Sequence, residues 1–104
     1  MEENLNNNVK YIVYVTINKV NKKIYIGVLM KIYLRTFKDV NDFAEITENL
    51  DCEVVVESED RKYRVDGKSI LGLYSLDLSM PLILSVPETE EDKFFKYRWF
   101  EEED

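Results

Sequence analysis

The sequence predicts an α+β fold, built on a mainly antiparallel sheet that an N-terminal β-hairpin extends. The hydrophobic pattern changes period twice between residues 63 and 86: it alternates over 63–66, follows one helical face over 70–76, and alternates again over 82–86. A strand, a short helix and a strand are therefore predicted within one run. A hydrophobic share of 45% in 104 residues indicates a single domain with one modest core.

Two runs of β-branched and aromatic residues predict the N-terminal hairpin. They are Tyr11–Ile17 and Ile24–Val28, and residues 18–23 between them have the composition of a turn. The second run continues as a strand over Ile24–Thr36, which is too long for one ordinary flat strand. We therefore expect it to bend or bulge near Gly27, pairing with the first strand before this point and entering the main sheet after it.

A helix and a second hairpin are predicted next. The helix runs from Asp39 to Leu50, with Asp39 as its cap, because one stripe of it is apolar. Alternation then predicts strands at Glu53–Glu57 and Arg61–Asp66. Cys52 fits a small buried hydrophobe better than a reactive thiol, since the sequence gives it no basic neighbour.

A short second helix follows, from Ser69 to Leu78. Ser69 has the position and chemistry of an N-cap, and Met80-Pro81 ends the helix because Pro cannot continue it. Leu82–Val86 then resumes the alternation of a strand.

The C-terminal segment, residues 87–104, is acidic and then aromatic. Acidic residues at 88–92 suit the first turn of a helix, and Phe95 and Trp99 are spaced to share one helical face. A C-terminal aromatic helix is therefore predicted. Its aromatic face either binds a protein partner or packs over the enlarged sheet, and the sequence leaves both alternatives open. The chain ends in an acidic tail, Glu101–Asp104, which we expect to be solvated.

Residues 65–76 (Val-Asp-Gly-Lys-Ser-Ile-Leu-Gly-Leu-Tyr-Ser-Leu) resemble the regulatory-serine segment of HPr, the phosphocarrier of the bacterial sugar phosphotransferase system. The likeness extends loosely over Met30 to Val86, and it implies an open-faced antiparallel sheet with helices on one face. By this resemblance Ser69 stands where HPr carries its kinase-regulated serine. HPr carries phosphate on a histidine, whereas this chain has none. The resemblance therefore implies a domain without phosphocarrier activity.

Residues 11–28 resemble the opening hairpin of GIY-YIG nucleases. The likeness is carried by Ile12-Val13-Tyr14 and Tyr25-Ile26-Gly27, with Ile12 in place of the first motif's glycine. In that family the two motif tyrosines act with an arginine and a metal-binding glutamate from later helices. After Val28 the sequence offers no helix suited to that arginine, so we expect a hairpin without nuclease activity.

Composition excludes several kinds of site. With one Cys and no His, the chain cannot form an intrachain disulfide, a zinc-type ligand set or a Ser-His-Asp triad. We expect no catalytic residues, no metal and no cofactor. The N-terminus is acidic and Asn-rich, unlike a signal peptide, and no apolar run reaches the ~20 residues that span a bilayer. These features predict a cytoplasmic protein.

The net charge of −7 bears on the choice of partner. It disfavours direct binding to DNA, RNA or an anionic membrane, all of which attract lysine and arginine. It is compatible with a basic protein surface, with a nucleic-acid-binding cleft that accepts an acidic decoy, or simply with solubility.

Two functions are therefore predicted from the sequence. The first is a non-catalytic HPr-like interaction or regulatory module that binds another protein. Its candidate partner-binding residues are Phe37, Ser69, Ile70, Leu73, Tyr74, Phe95 and Trp99. The second is a small acidic inhibitor that mimics nucleic acid, of the phage anti-defence (anti-CRISPR) type. A contiguous acidic stripe would favour the mimic, and scattered charge with an exposed apolar helix face would favour the module.

Ser69 itself has two interpretations. As a phosphorylation site it would carry its phosphate at a helix N-terminus, where Arg64 or Lys68 could pair with it. As an N-cap alone it would contribute about 1 kcal/mol to stability.

Overall fold

The computed structural model describes residues 8–99, and within that range the chain is an α+β protein with one antiparallel sheet. Its strands are β1 (Val9–Ile17), β2 (Val20–Ile32), β3 (Val55–Ser58), β4 (Arg64–Asp66) and β5 (Leu82–Pro87). They lie side by side in the order β1-β2-β5-β3-β4. The helices are α1 (Phe37–Glu48), α2 (Ile70–Tyr74) and a C-terminal 3₁₀ helix (Glu88–Tyr97). None of the helices in this range is long and apolar enough to cross a membrane.

One face of the sheet carries the hydrophobic core. Met30 in β2, Leu84 in β5 and Val56 in β3 are paired across the sheet and are fully buried. They pack with Phe43 of α1, with α2 and with Phe94 of the 3₁₀ helix in a single cluster. The opposite face, which we call the open face, carries no helix among the described residues, and its side chains are mostly half-buried.

The N-terminal hairpin extends the sheet as a two-stranded arm. β1 pairs with β2 over its whole length, whereas β5 pairs only with the part of β2 that begins at Gly27. Residues 12–26, which we call the arm, therefore project beyond the remaining strands. Asn18 and Lys19 form its two-residue turn with positive φ angles of 53° and 65°, a geometry that matches the twist of the flanking strands.

The long strand β2 has the predicted bulge, but at Ile24 rather than at Gly27. Val13 pairs with Tyr25 and Tyr14 pairs with Lys23, so Ile24 is the extra residue, while β2 is continuous through Gly27. Strand β2 also begins at Val20, inside the expected turn, and ends at Ile32 rather than Thr36.

The caps explain where the two α-helices differ from prediction. Thr36, not Asp39, is the N-cap of α1: its hydroxyl accepts from the Asp39 amide, and the Asp39 carboxylate accepts from the Thr36 amide in return. Helix α2 ends at Tyr74 rather than Leu78 because Asp77 forms its own turn. The Asp77 carboxylate accepts from the amide and the hydroxyl of Ser79.

The C-terminal segment forms a 3₁₀ helix instead of the predicted α-helix. A 3₁₀ helix repeats every three residues, so the side chains it buries together are Phe94 and Tyr97 rather than Phe95 and Trp99. The chain then leaves the helix and runs beside β2, where the Trp99 amide donates to the Lys31 carbonyl at 2.9 Å. The acidic tail predicted at Glu101–Asp104 lies outside the described residues.

Candidate functional site

Four exposed apolar side chains cluster where the first turns of α1 and α2 meet. Leu71 is 81% exposed and Phe37 is 75% exposed, while Ile70 and Tyr74 each exceed one third. The rings of Phe37 and Tyr74 are in contact, with centroids 5.8 Å apart. We call Phe37, Ile70, Leu71 and Tyr74 the α2 patch.

The sequence holds this patch in place through short-range caps. Ser69 is the N-cap of α2, and its hydroxyl oxygen accepts from the Gly72 amide at 3.0 Å. Leu73 is fully buried and anchors α2 to the core, so the other apolar residues of the helix face outward. Phe37 is fixed in the same way, because it is the first residue of α1, directly after the Thr36 cap.

A cleft of about 420 Å³ adjoins the patch at the end of α2. Three carboxylates line it, from Glu59, Asp60 and Asp77, together with the exposed side chains of Tyr63 and Met80. Its rim is therefore acidic and its remaining surface is largely apolar. Tyr74 of the patch is followed directly by the cleft residues that begin at Ser75, so the two surfaces are continuous along the chain.

Hydrogen bonds keep two of these carboxylates ionised. The Ser58 hydroxyl and the Lys62 amide donate to Asp60 and hold the pKa of its carboxyl below its usual range. The Ser79 hydroxyl and amide lower the pKa of Asp77 in the same way. The cleft therefore presents two fixed negative charges beside an apolar patch, which suits a lysine or arginine on a partner.

Ser69 is used structurally in this fold. Its side chain is half-buried and occupied in capping α2. The Lys68 ammonium donates to the Leu50 carbonyl at 2.6 Å, near the start of the loop after α1. Arg64, the other cation proposed for a phosphate, lies in β4 on the rim of two other clefts. Phosphorylation of Ser69 remains a prediction.

The remaining predicted partner-binding residues are placed elsewhere. Leu73 belongs to the core, so it is not available to a partner. Phe95 is 42% exposed and lies against the Arg98 guanidinium, 5.1 Å from its ring centroid. Trp99 is half-buried, with Lys31 above its ring. The sequence thus identified the α2 patch in part but missed Leu71, whose exposure follows from the short length of α2.

The open face carries a second cleft, of about 310 Å³, that sequence analysis did not find. Tyr11 and Tyr25 from the hairpin meet Arg61, Arg64 and Glu57 there. The Arg61 guanidinium pairs with the buried Glu57 at 3.0 Å, and burial, together with the nearby Tyr11, raises the pKa of Tyr25. Alternation of side chains could have shown which residues share a face within each hairpin. It could not have shown that the sheet brings the two hairpins together.

Tyr14, one of the two hairpin tyrosines singled out above, does not line the open-face cleft, and it is 57% exposed on the arm. Among residues 8–99 there is no group of three or more side chains able to hold a metal ion. Burial raises the pKa of the Cys52 thiol, which fits its predicted role as a small packing residue.

The described carboxylates are interspersed with cations rather than gathered in one stripe. Five ion pairs join them across the surface: Lys10–Glu88, Lys31–Glu59, Lys38–Asp42, Arg61–Glu57 and Lys93–Glu90. A contiguous acidic stripe was expected for the mimic, and scattered charge with an exposed apolar helix face for the interaction module. The described surface has the second arrangement.

Comparison with known proteins gives no further guide. No protein-family model, no curated protein and no solved structure matches this chain. The α2 patch and its acidic cleft are therefore interpreted from their own chemistry.

Proposed function

We propose that this chain is a non-catalytic interaction module that binds another protein through the α2 patch. The observation that carries this proposal is the exposure of Phe37 and Leu71 on two capped helix starts. Each lies in the first turn after an N-cap, Thr36 or Ser69, where the backbone is fixed, so docking would not require ordering of a loop. Burying such a side chain at an interface is worth about 1.5–3 kcal/mol, and aromatic anchors are frequent at the centres of interfaces.

The HPr-like character of the module is part of the same proposal. Its support is the order of elements from β2 to β5, which is strand, helix, two strands, short helix and strand. Further support is the capping role of Ser69 at the start of α2. We propose that the chain has lost phosphocarrier activity, because it contains no histidine. A cytoplasmic location accords with its single, unpaired cysteine.

The acidic cleft indicates which chemical features the partner's surface should have. An apolar side chain of the partner would contact Leu71 and the paired rings of Phe37 and Tyr74. A lysine or arginine nearby would enter the cleft between Asp60 and Asp77. The expected partner surface is therefore apolar with an adjacent basic residue, which agrees with the acidic net charge of the chain.

The proposal is tested by affinity capture from native host extract, with wild type compared with Leu71→Asp and Phe37→Ser. Tyr14→Ser, which removes another exposed aromatic side chain, on the arm and away from the patch, is the matched control. We expect each patch variant to weaken binding of the identified partner by at least about tenfold, and the control variant to bind it as wild type does. Unchanged binding by both patch variants would contradict the proposal.

The acidic mimic of nucleic acid is the alternative that the same experiment distinguishes. Its partner would bind DNA or RNA, would be displaced by that nucleic acid, and would be released by moderate salt. Binding of such a partner would tolerate Leu71→Asp, because the partner would contact carboxylates of this chain rather than Leu71. Binding of a partner that docks on the α2 patch would instead be lost when Leu71 is replaced. That binding would depend on salt only through the cleft residues Asp60 and Asp77.

A further inference from the structure

Strand β1 forms one of the two outer edges of the sheet, and among residues 8–99 only β2 pairs with it. The other edge is β4, which has three residues and carries the charges of Arg64 and Asp66. Short length and charge are features that keep an edge strand from pairing with another chain. Strand β1 is nine residues long and contains no proline, glycine or acidic residue. Only the β1 edge is therefore suited to accept a further strand.

The one charged residue of β1 does not protect this edge. Lys10 is held by its own chain, because its ammonium pairs with Glu88 of the 3₁₀ helix at 2.6 Å. Every other side chain of β1 is aliphatic, aromatic or a threonine. A long, exposed edge strand of this composition favours pairing with another strand. Four of its side chains are between 48% and 59% exposed, namely those of Val9, Ile12, Tyr14 and Ile17.

The backbone of β1 directs the polar groups of four residues toward the free edge. Past the start of β1, the Lys31 carbonyl accepts from the Trp99 amide on the same edge of β2 that β1 occupies further along. This direction alternates in an antiparallel ladder, so the odd-numbered residues of β2 from Lys31 to Tyr25 face β1, and their partners in β1 face back. The residues of β1 that alternate with those partners direct their amides and carbonyls outward. They are Lys10, Ile12, Tyr14 and Thr16.

We propose that two copies of this chain pair antiparallel along β1, so that their sheets join into one continuous sheet about a twofold axis. The axis passes between the two Val13 residues, because this register pairs all nine residues of each strand. Lys10 then faces Thr16 of the other copy, and Ile12 faces Tyr14. These four residues of each copy make about eight hydrogen bonds between the copies. A typical protein interface carries about 10 ± 5 direct hydrogen bonds, so this number suffices for a specific complex.

The side chains of the two strands are complementary in this register. On the core side no like charges meet, because the one lysine of each strand faces a threonine. On the open-face side every facing pair is apolar or aromatic, and such cross-strand pairs stabilise a sheet. These pairs are Val9 with Ile17 of the other copy, Tyr11 with Val15, and Val13 with its own counterpart.

The negative charge of the chain does not oppose this arrangement. Strand β5 pairs with β2 only from Gly27, the partner of Tyr11, so the rest of each molecule lies beyond Tyr11 and away from the axis. The two Tyr11 residues are four positions apart along the paired strands, which is about 13 Å. This separation exceeds the Debye length of about 8 Å at physiological salt, so repulsion between the two acidic bodies is screened. A second copy therefore matches the edge in length, side chains and charge.

The dimer also extends the open-face cleft. Val9 and Tyr11 line that cleft in each copy. In the proposed register Ile17 and Val15 of the other copy lie directly beside them. Each copy therefore lengthens the apolar wall of the other copy's cleft.

Sedimentation equilibrium of the full chain, from low micromolar to millimolar concentration, tests the dimer with two variants of Tyr14. Tyr14→Ser removes the ring and keeps the outward N–H, whereas Tyr14→Pro removes both. This N–H does not face β2, so proline leaves the ladder within the chain intact. We expect Tyr14→Pro to raise the dissociation constant by at least about tenfold over that of Tyr14→Ser. Circular dichroism should show that both variants keep the fold, and equal dissociation constants would overturn the proposal.

Cysteine cross-linking tests the register and does not depend on the proline variant. It is done in a Cys52→Ala background, which removes the native thiol. Val13→Cys places two thiols on the axis, with Cα atoms about 4.5 Å apart, which is close enough for a disulfide. Val15→Cys, on the same side of β1, places its two thiols four positions apart, or about 13 Å. We expect oxidised glutathione to link the first variant into a dimer and to leave the second unlinked.

The remaining outcomes are as decisive. A wild-type chain that stays monomeric at millimolar concentration would overturn the proposal. So would cross-linking through residue 15, absence of cross-linking through residue 13, or growth into oligomers larger than a dimer.

Discussion

The ring of Tyr11 lies across Gly27 on the neighbouring strand, so that a Cβ at Gly27 would stand 2.2 Å from the Tyr11 Cζ atom. The two residues are register partners at the base of the arm, where β2 enters the main sheet. Gly27 is therefore required by close approach: the strand needs no bend there, but the ring leaves no room for a methyl group.

We expect Gly27→Ala to lower the free energy of unfolding by about 1–2 kcal/mol, because the Tyr11 ring must move aside. Urea denaturation measures the loss. In a Tyr11→Ala background the same substitution should cost little, or even stabilise the strand by removing a glycine. Equal costs in both backgrounds would show that the ring contact is not the cause.

Tyr97 carries a buried hydroxyl with no hydrogen-bond partner among the described residues. Its ring packs edge-on against Phe43, with centroids 5.6 Å apart, and this contact survives replacement by Phe. We expect Tyr97→Phe to stabilise the protein by up to about 1 kcal/mol at neutral pH, since an unpaired buried polar group is removed. Thermal or urea unfolding would show it, and destabilisation would indicate that the hydroxyl makes a bond to solvent.

Tyr97 also predicts how stability responds to alkaline pH. Burial raises its pKa to about 12 in the folded protein, above the ordinary value of 10.0 for tyrosine. Between these values the unfolded chain loses its phenolic proton and the folded chain keeps it, so stability falls as pH rises from about 10 to about 12. The difference in unfolding free energy between wild type and Tyr97→Phe should therefore grow across this window. A constant difference would mean that the phenol titrates normally.

Thr47 joins α1 to the loop before α2. Its buried hydroxyl lies 2.9 Å from the Gly67 carbonyl and 3.1 Å from that of Ala44. We expect Thr47→Val, which has the same shape, to cost about 1–2 kcal/mol because it leaves the Gly67 carbonyl unsatisfied. Thr47→Ser keeps the hydroxyl and should cost less. If Ser were the more damaging change in urea denaturation, packing of the methyl group would be the larger contribution.

Ser69 caps α2, and the cap sets the position of the α2 patch. Ser69→Ala should destabilise the protein by about 1 kcal/mol, and Ser69→Asp should restore most of that loss because Asp is also a good N-cap. Urea denaturation of the three proteins checks this order. A destabilised Asp variant would show that the site does not tolerate added negative charge, and it would count against phosphorylation there.

Much of the sheet could be predicted because its signal is local. Leu82, Leu84 and Val86 alternate in the sequence and are buried along one side of β5. The C-terminal segment was mispredicted because its aromatic residues fit two periods. Phe95 and Trp99 suit an α-helix, Phe94 and Tyr97 suit a 3₁₀ helix, and only packing against Phe43 selects the second pair.

The candidate site was predictable only in part. Phe37, Ile70 and Tyr74 were identified, but placing Leu73 beside them was wrong, because α2 stops one turn after its cap and buries that residue. The acidic cleft joins Asp60 from one turn to Asp77 from another. Such a meeting depends on strand order, which no local pattern encodes.

The bulge at Ile24 has a consequence for how the hairpin could change. Without Ile24, every residue of β1 would keep its present partner in β2, and the two strands would alternate without interruption. Loss of that one codon would thus remove the local bend and the added twist of the ribbon, while leaving the rest of the molecule unaltered.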